Sequence, residues 1–174
     1  MTSRLDNTAE NMKDEEIGVV TYDVMRILLP TDGSATAIEA MNVAMGIAKR
    51  FGAEVVAVFV DQGRMVEPIE EDTLEVTEGV HHSVAGLRCA VVSAQKNDVS
   101  IKTVVAEGAV AHAILATQRD EDCDLIVIGH AGRSGIQRLM LGSVAEAVVR
   151  EAEVPVMVIK HCSTKFCTAV RTDA

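Results

Sequence analysis

The sequence predicts an α/β domain built on an open parallel sheet, and three observations lead to that class. Five short apolar runs alternate with four segments whose apolar residues recur at helical spacing. The second run, at residues 54–60, is apolar along most of its length, as expected for a parallel strand covered on both faces. The length of 174 residues suits a single domain. Right-handed strand–helix–strand units would place helices on both faces of the sheet.

The first half of the chain predicts two strands and two helices. Pro30 ends the first apolar run, because proline lacks the backbone donor that a strand uses. Ser34 or Thr36 can cap the helix that follows, and Gly52 ends it. The predicted elements are a strand at 24–29, a helix ending at Arg50, a strand at 54–60 and a helix ending near 97–98.

The second half repeats the alternation. Gly108 opens the third helix, and Gly142 with Ser143 stands at the start of the fourth. The apolar face of this fourth helix is predicted to run from Leu141 to Ala152. The predicted strands of this half lie at 99–105, 124–128 and 154–159.

Composition and charge exclude several classes of function. The net charge of −10 and the aromatic content of 2% argue against nucleic-acid binding, which needs basic surfaces and stacking platforms. No run of 18 apolar residues exists, so no membrane span is expected. The spacing of the four cysteines fits no zinc motif and favours reduced thiols in a cytoplasmic protein. These cysteines are Cys89, Cys123, Cys162 and Cys167.

The two ends of the chain differ from its centre. Residues 1–23 are polar and acidic, and residues 161–174 are polar with little apolar content. We expect residues 24–160 to form the folded domain, preceded by an acidic extension and followed by a tail.

A glycine-punctuated segment follows the fourth predicted strand. Glycines let a backbone approach an anion closely, and the amides that open a helix at Gly142 and Ser143 favour a phosphate. Arg133 could add a charge-assisted contact. The spacing matches neither a P-loop nor the dinucleotide fingerprint. The segment begins at residue 129, and its first candidate residues are Gly129, His130, Gly132, Arg133, Ser134 and Gly135.

A second candidate lies on the loop after the first strand, at the same edge of the sheet. Asp32 could accept a hydrogen bond from a ribose hydroxyl or an adenine amino group. The alternative is that Asp32 only shapes the turn or caps the helix. His130 is the histidine beside the proposed phosphates, and it could be a ligand-binding or a structural residue.

These motifs together resemble the universal stress protein family. The run ILLPTDGS at residues 27–34 is similar to the start of that family. The family's nucleotide motif, G-x2-G-x9-G-[ST], is matched by Gly129, Gly132, Gly142 and Ser143 with every spacing kept. The closing run GSVAEAVVREAEVPVMVIK also resembles the family, so the likeness covers residues 24–160.

The resemblance implies more than the residue patterns do. It implies the strand order 3-2-1-4-5, a Rossmann-like sheet of the adenine nucleotide α-hydrolase-like group, and the family branch that binds ATP. In that branch, the residue matching Asp32 contacts adenosine, and those matching Phe59 and Val60 line the adenine. The expected nucleotide-binding set is Pro30, Thr31, Asp32, Phe59, Val60, Gly129, His130, Gly132, Arg133, Ser134, Gly135, Gly142, Ser143 and Val144. His130 departs from the family pattern, in which a small or basic polar residue is more usual.

The expected function is an ATP-binding regulatory protein of the stress response. ADP or AMP could be the resident nucleotide, and Mg²⁺ could accompany it without a protein site of its own. We name no catalytic residue, because none is an evident general base, and hydrolysis would be slow. The alternatives are an ATP or phosphosugar hydrolase and a ligand-free interaction scaffold. An uncharged fifth strand at the sheet edge predicts a homodimer, and the partner protein of a switch stays unidentified.

Overall fold

The computed structural model describes residues 22–62, 78–131 and 141–160. The strands are β1 (Arg26–Pro30), β2 (Glu54–Asp61), β3 (Ile101–Glu107), β4 (Leu125–Gly129) and β5 (Val156–Ile159). The helices are α1 (Ala35–Phe51), α2 (Glu78–Asn97), α3 (Val110–Asp120) and α4 (Ser143–Glu151). All strand pairs are parallel, and the order β3-β2-β1-β4-β5 confirms the predicted sheet.

Several predicted boundaries were wrong by two residues. β3 begins at Ile101 rather than at residue 99, because the Val99 amide donates to Ala94 O and still belongs to the end of α2. β5 begins at Val156, since Pro155 contributes only its carbonyl, which accepts from the Ile126 amide. β1 likewise starts at residue 26 rather than 24.

The predicted range of the fourth helix was also too long. Leu141 precedes Gly142, the N-cap of α4, and is 38% exposed. At the other end Ala152 is the C-cap rather than a helical residue. Ala145 and Val148 are the buried residues of the helix, so the apolar face was predicted correctly in its centre.

The two faces of the sheet carry separate apolar clusters. Ile27 and Leu29 face α1 and α2, whereas Leu28 faces α3 and α4, as the alternation along a strand requires. All three side chains are fully buried. Helices therefore cover both faces, which agrees with the apolar character of the central strands.

The ends of α1 follow from local chemistry. The Ser34 side chain accepts from the Ala37 amide at 3.3 Å, so Ser34 rather than Thr36 is the N-cap. At the other end Gly52 adopts φ 71°, and its amide donates to Ala48 O. Glycine takes this left-handed conformation without steric cost, which explains the helix stop.

The two edge strands differ in their chemistry. β3 exposes Lys102 and Glu107, and Lys102 pairs with Glu121 at 2.6 Å. β5 carries no charge between Val156 and Ile159, and Met157 on it is 40% exposed. Charges protect an edge strand from further pairing, so only the β3 edge has this protection.

The amino end of the sheet is fixed by polar contacts between β1 and its neighbours. One Asp124 oxygen accepts from the amides of Met25 and Arg26, at 2.8 and 3.1 Å. Arg26 also pairs with Glu54 at 2.9 Å. Burial raises the pKa of the nearby Cys123 thiol to about 12. Within the described residues no helix is long and apolar enough to cross a membrane.

Candidate functional site

The candidate site lies at the carboxyl end of the sheet, between β1 and β4. The chain leaves β1 toward β2 on one side, and β4 lies on the other side, so the strand order reverses here. Loops diverge at such a point and leave a crevice, which is where parallel α/β sheets bind ligands. The loops that follow β1 and β4 are the ones that contain the predicted site residues.

The loop after β1 is a tight turn. Thr31 continues the ladder by donating its amide to Val58 O at 2.9 Å. The Ser34 amide then donates to an oxygen of Asp32 at 3.0 Å, and Gly33 between them adopts φ 75°. Asp32 is half-buried at the edge of the crevice. One Asp32 oxygen therefore shapes the turn, as the simpler of its two interpretations predicted.

Gly129, the last residue of β4, lies against the start of α1. A Cβ at this position would be 2.9 Å from the carbonyl carbon of Thr36 and 3.0 Å from its oxygen. No side chain fits there unless α1 moves. The close approach gives Gly129 a packing role independent of any ligand.

Thr36 joins the two loops, and sequence reasoning named it only as a possible cap. Its hydroxyl donates to Ala131 O in the loop after β4 and lies 3.2 Å from the hydroxyl of Ser34. The N-cap of α1 and the beginning of the glycine-punctuated segment are thus linked through one side chain.

Gly86 was missed by the sequence analysis. It lies within α2, and a Cβ there would be 2.9 Å from Thr31 Oγ1 and 3.1 Å from the Gly33 amide nitrogen. α2 therefore packs directly on the loop that carries Asp32. The available signal was a glycine inside a helical pattern, where it costs about 1 kcal/mol relative to alanine and usually has a packing reason.

The start of α4 forms the opposite wall of the crevice. The Gly142 amide donates to His130 O at 2.7 Å, and the His130 amide donates to Ile159 O at 2.8 Å. Gly142 is the N-cap with extended backbone, and no side chain of the described residues caps the helix. The first-turn amides, which include those of Ser143 and Val144, are thus suited to bind an anion at the carboxyl edge of the sheet.

His130 is the one buried titratable side chain of this edge among the described residues. It is 9% exposed, and its Nδ1 has no hydrogen-bond partner in the described part of the chain. A buried nitrogen without a partner is unfavourable by about 1–3 kcal/mol.

Some of the other predicted site residues lie at the ends of β1 and β2, and the rest lie outside the described residues. Pro30 ends β1 and is buried, whereas Phe59 and Val60 are half-buried near the end of β2. No cluster of three or more metal-binding side chains occurs in residues 22–62, 78–131 and 141–160. Four predicted residues lie outside the described residues, namely Gly132, Arg133, Ser134 and Gly135.

Comparison with known proteins decides the family. A family model described as the universal stress protein family matches residues 24–160. The chain belongs to this family. A universal stress protein of Methanocaldococcus jannaschii is 37% identical over 138 residues, which cover 78% of this chain and 81% of that protein.

Solved structures of universal stress proteins share the fold. One from Lactobacillus plantarum is 27% identical, with a TM-score of 0.63, and the match covers 80% of this chain and all of that chain. A universal stress protein in complex with cAMP is 24% identical, with a TM-score of 0.62 and coverages of 80% and 98%. One from Archaeoglobus fulgidus in complex with dAMP is 23% identical, with a TM-score of 0.59 and coverages of 80% and 100%.

Proposed function

We propose that this universal stress protein binds an adenine nucleotide, with ATP as the ligand, and acts as a nucleotide-dependent regulator. The observation that carries the proposal is the start of α4, which has no side-chain cap among the described residues and is bonded to the loop after β4, the neighbour of the strand that leads to Asp32. An anion site and a ribose-binding carboxylate on opposite walls suit a phosphorylated nucleoside.

In this proposal the two walls of the crevice bind different parts of the nucleotide. In this arrangement, the amides at the start of α4 and the Ser143 hydroxyl bind the phosphates. Asp32 accepts from the ribose hydroxyls, and the backbone of Phe59 and Val60 lines the adenine. His130 Nδ1 has no partner among the described residues, and in this proposal the ligand supplies one. Gly132 and Arg133 are included on the sequence motif alone.

Two of the structural relatives support the ligand class. Their ligands, cAMP and dAMP, are both adenine nucleotides. These two proteins share the fold at identities of 24% and 23%, so the transfer of their ligand class to this chain is our inference. ATP, an accompanying Mg²⁺ and the switch role are further steps of the same proposal.

The direct test is to identify the nucleotide that the purified protein carries. The protein is denatured, and the released small molecules are separated by nucleotide chromatography and compared with the protein concentration. We expect close to one adenine nucleotide per chain, or saturable ATP binding by calorimetry if the protein purifies empty. Absence of both would favour the scaffold, and phosphate release at many turnovers per minute would favour the hydrolase.

Replacement of Asp32 should separate its two roles. Asp32→Asn keeps an oxygen that can accept from the Ser34 amide, whereas Asp32→Ala removes it. We expect both variants to bind ATP about 10-fold more weakly or worse, since a hydrogen bond to a charged group contributes about 1.5–3 kcal/mol. Only the alanine variant should also lose stability in urea denaturation.

Inorganic pyrophosphate serves as the control ligand for the Asp32 variants, because it lacks the nucleoside. Its affinity should be unchanged in Asp32→Asn. An equal loss of ATP and pyrophosphate binding would show that Asp32 acts on the phosphate end or on a metal ion instead.

We also propose that the chain forms a homodimer through β5. Among the described strands β5 pairs with β4 alone, so its outer edge is open. Val156 and Val158 pack on the α3 and α4 side, whereas Met157 is exposed. Pairing of this strand with its own copy about a two-fold axis would satisfy both edges.

Met157→Lys is the variant that tests the dimer. It places a charge on the exposed side of the edge strand, whereas lysine at Val156 or Val158 would also disturb the packing of the monomer. We expect light scattering to give a dimer for the parent and a monomer for Met157→Lys at micromolar concentration. Met157→Leu is the control and should stay dimeric. A monomeric parent at high micromolar concentration would contradict the proposal.

The domain boundaries and the location of the protein are part of the same proposal. We infer a universal stress domain at residues 24–160, with an acidic extension before it and a tail after it. The free thiols of Cys89 and Cys123 support a reducing compartment, which we take to be the cytoplasm.

A further inference from the structure

A groove between α1 and α2 combines apolar surface with positive charge. It has a volume of about 510 Å³ and is lined by residues that include Met41, Arg88, Val92 and Lys96. Val92 is apolar yet 49% exposed. Arg88 and Lys96 are exposed, and neither forms a salt bridge with another described residue. In a chain of net charge −10, two such cations beside an exposed valine point to an acidic, partly apolar occupant.

The lining residues of α2 form a regular stripe. Arg88, Val92 and Lys96 are four residues apart, so they lie on one side of the helix at intervals of about 6 Å. Over about 12 Å of the helix, the stripe therefore presents a positive charge, an apolar side chain and a second positive charge. Side chains on one side of an extended peptide are about 6.6 Å apart. A peptide therefore matches the stripe if every second residue is, in order, acidic, apolar and acidic.

The acidic segment before β1 has this pattern. Glu10, Met12 and Asp14 are spaced by two residues, and in an extended chain they span about 13 Å on one side. We propose that residues 10–14 dock in the groove, with Glu10 at Arg88, Met12 on Val92 and Asp14 at Lys96.

The position of β1 supports this occupant. Val24, just before β1, packs in the same apolar cluster as Met41, so the chain enters the sheet on the face of α1 and α2. α2 leads from the carboxyl end of β2 to the amino end of β3, and Lys96 near its end is therefore at the amino edge. The eight residues from Asp14 to Tyr22 can span about 26 Å, and they join the sheet at the amino edge, where Lys96 lies.

A second segment has a similar pattern, but it is connected to the fold at the opposite edge of the sheet from Lys96. Glu67, Ile69 and Glu71 lie in the connection between β2 and α2, both of whose ends are at the carboxyl edge. Lys96 is about 27 Å along α2 from its first residue, Glu78. The seven residues from Glu71 to Glu78 span about 23 Å at most, and the six from β2 to Glu67 span about 20 Å.

A nitroxide label on Cys89 tests the proposal in the full chain. Cys89 is exposed and lines the groove, whereas the raised pKa of Cys123, about 12, keeps that thiol from reacting near neutral pH. Cys162→Ser and Cys167→Ser remove the other thiols. We expect the amide NMR signals of residues 8–16 to be broadened strongly. In the control, Cys89→Ser with Val149→Cys carries the same label on α4, across the sheet, and should leave these signals sharp.

Charge reversal makes the test specific. Arg88→Glu with Lys96→Glu should abolish the broadening, and so should Glu10→Lys with Asp14→Lys. Combining all four substitutions should restore it, because opposite charges again face each other. Arg119→Glu with Lys160→Glu changes the net charge equally at exposed positions outside the groove and should have no effect. About 1 M salt should weaken the broadening in the parent.

Three results would overturn the proposal. Broadening of residues 63–77 in place of 8–16 would make the connection before α2 the occupant. The second result uses a sample that mixes spin-labelled chains with isotope-enriched, unlabelled chains. Broadening that occurs only between different chains would identify the occupant as a second copy of the chain. Sharp signals throughout, with the label fully attached, would mean that no segment of the chain occupies the groove.

Discussion

Replacement of Ser143 by aspartate is expected to weaken ATP binding roughly 100-fold without unfolding the protein. A carboxylate at the first residue of α4 would oppose the phosphates at close range. Repulsion of about 3 kcal/mol corresponds to roughly 100-fold weaker binding. The same carboxylate interacts favourably with the helix dipole and should stabilise the fold by about 0.5 kcal/mol. Binding and stability should therefore change in opposite directions.

Calorimetry with ATP and urea denaturation measure these two effects. Ser143→Ala should weaken binding less, by about 10-fold, because it removes one hydrogen bond to a charged phosphate and adds no repulsion. Ala109→Asp is the control at the start of another helix, since Ala109 is the N-cap of α3 and makes no side-chain cap bond. It should stabilise the fold and leave ATP binding unchanged. Parental ATP affinity in Ser143→Asp would place the phosphates elsewhere.

Gly129→Val should produce the largest loss of stability. Its side chain would meet the backbone of Thr36 at about 3 Å, where the start of α1 cannot yield without losing its bond to Ala131. Overpacking of this kind costs typically 1–3 kcal/mol, and we expect about 3 kcal/mol for this variant. ATP binding should fall as well, because the walls of the crevice would separate.

Gly46→Ala is the control for this effect. Gly46 lies in the middle of α1, and a Cβ there would have no atom within 4 Å. Alanine should therefore stabilise α1 by about 1 kcal/mol through its higher helix propensity. Urea denaturation of both variants checks the pair. Parental stability of Gly129→Val would show that α1 can shift without cost.

The sequence was sufficient to predict the order of elements because each one has a strong local signal. The apolar runs, the Gly52 stop and the cap at Ser34 depend on residues within a few positions of each other. The boundary of β5 was wrong because it depends on hydrogen bonds to another segment, such as the one that the Ile126 amide donates to Pro155 O. Those partners cannot be read from a local pattern.

The same distinction applies to the site. Asp32 and Gly142 were recognisable because they belong to contiguous motifs next to predicted elements. Gly86 and Thr36 were not, since their importance comes from distant backbone that packs against them: the loop after β1 for Gly86, and the loop after β4 for Thr36. A glycine in a helix suggests close packing, but only the structure shows what approaches it.

The unlike edges of the sheet limit how far the proposed pairing can extend. Lys102 and Glu107 on β3 would meet charges of a neighbouring copy, whereas the uncharged β5 would not. Two copies joined at β5 would form one continuous sheet of about ten strands with a charged β3 at each end. Growth at either end would place Lys102 and Glu107 in the new contact, so we expect assembly to stop at two chains.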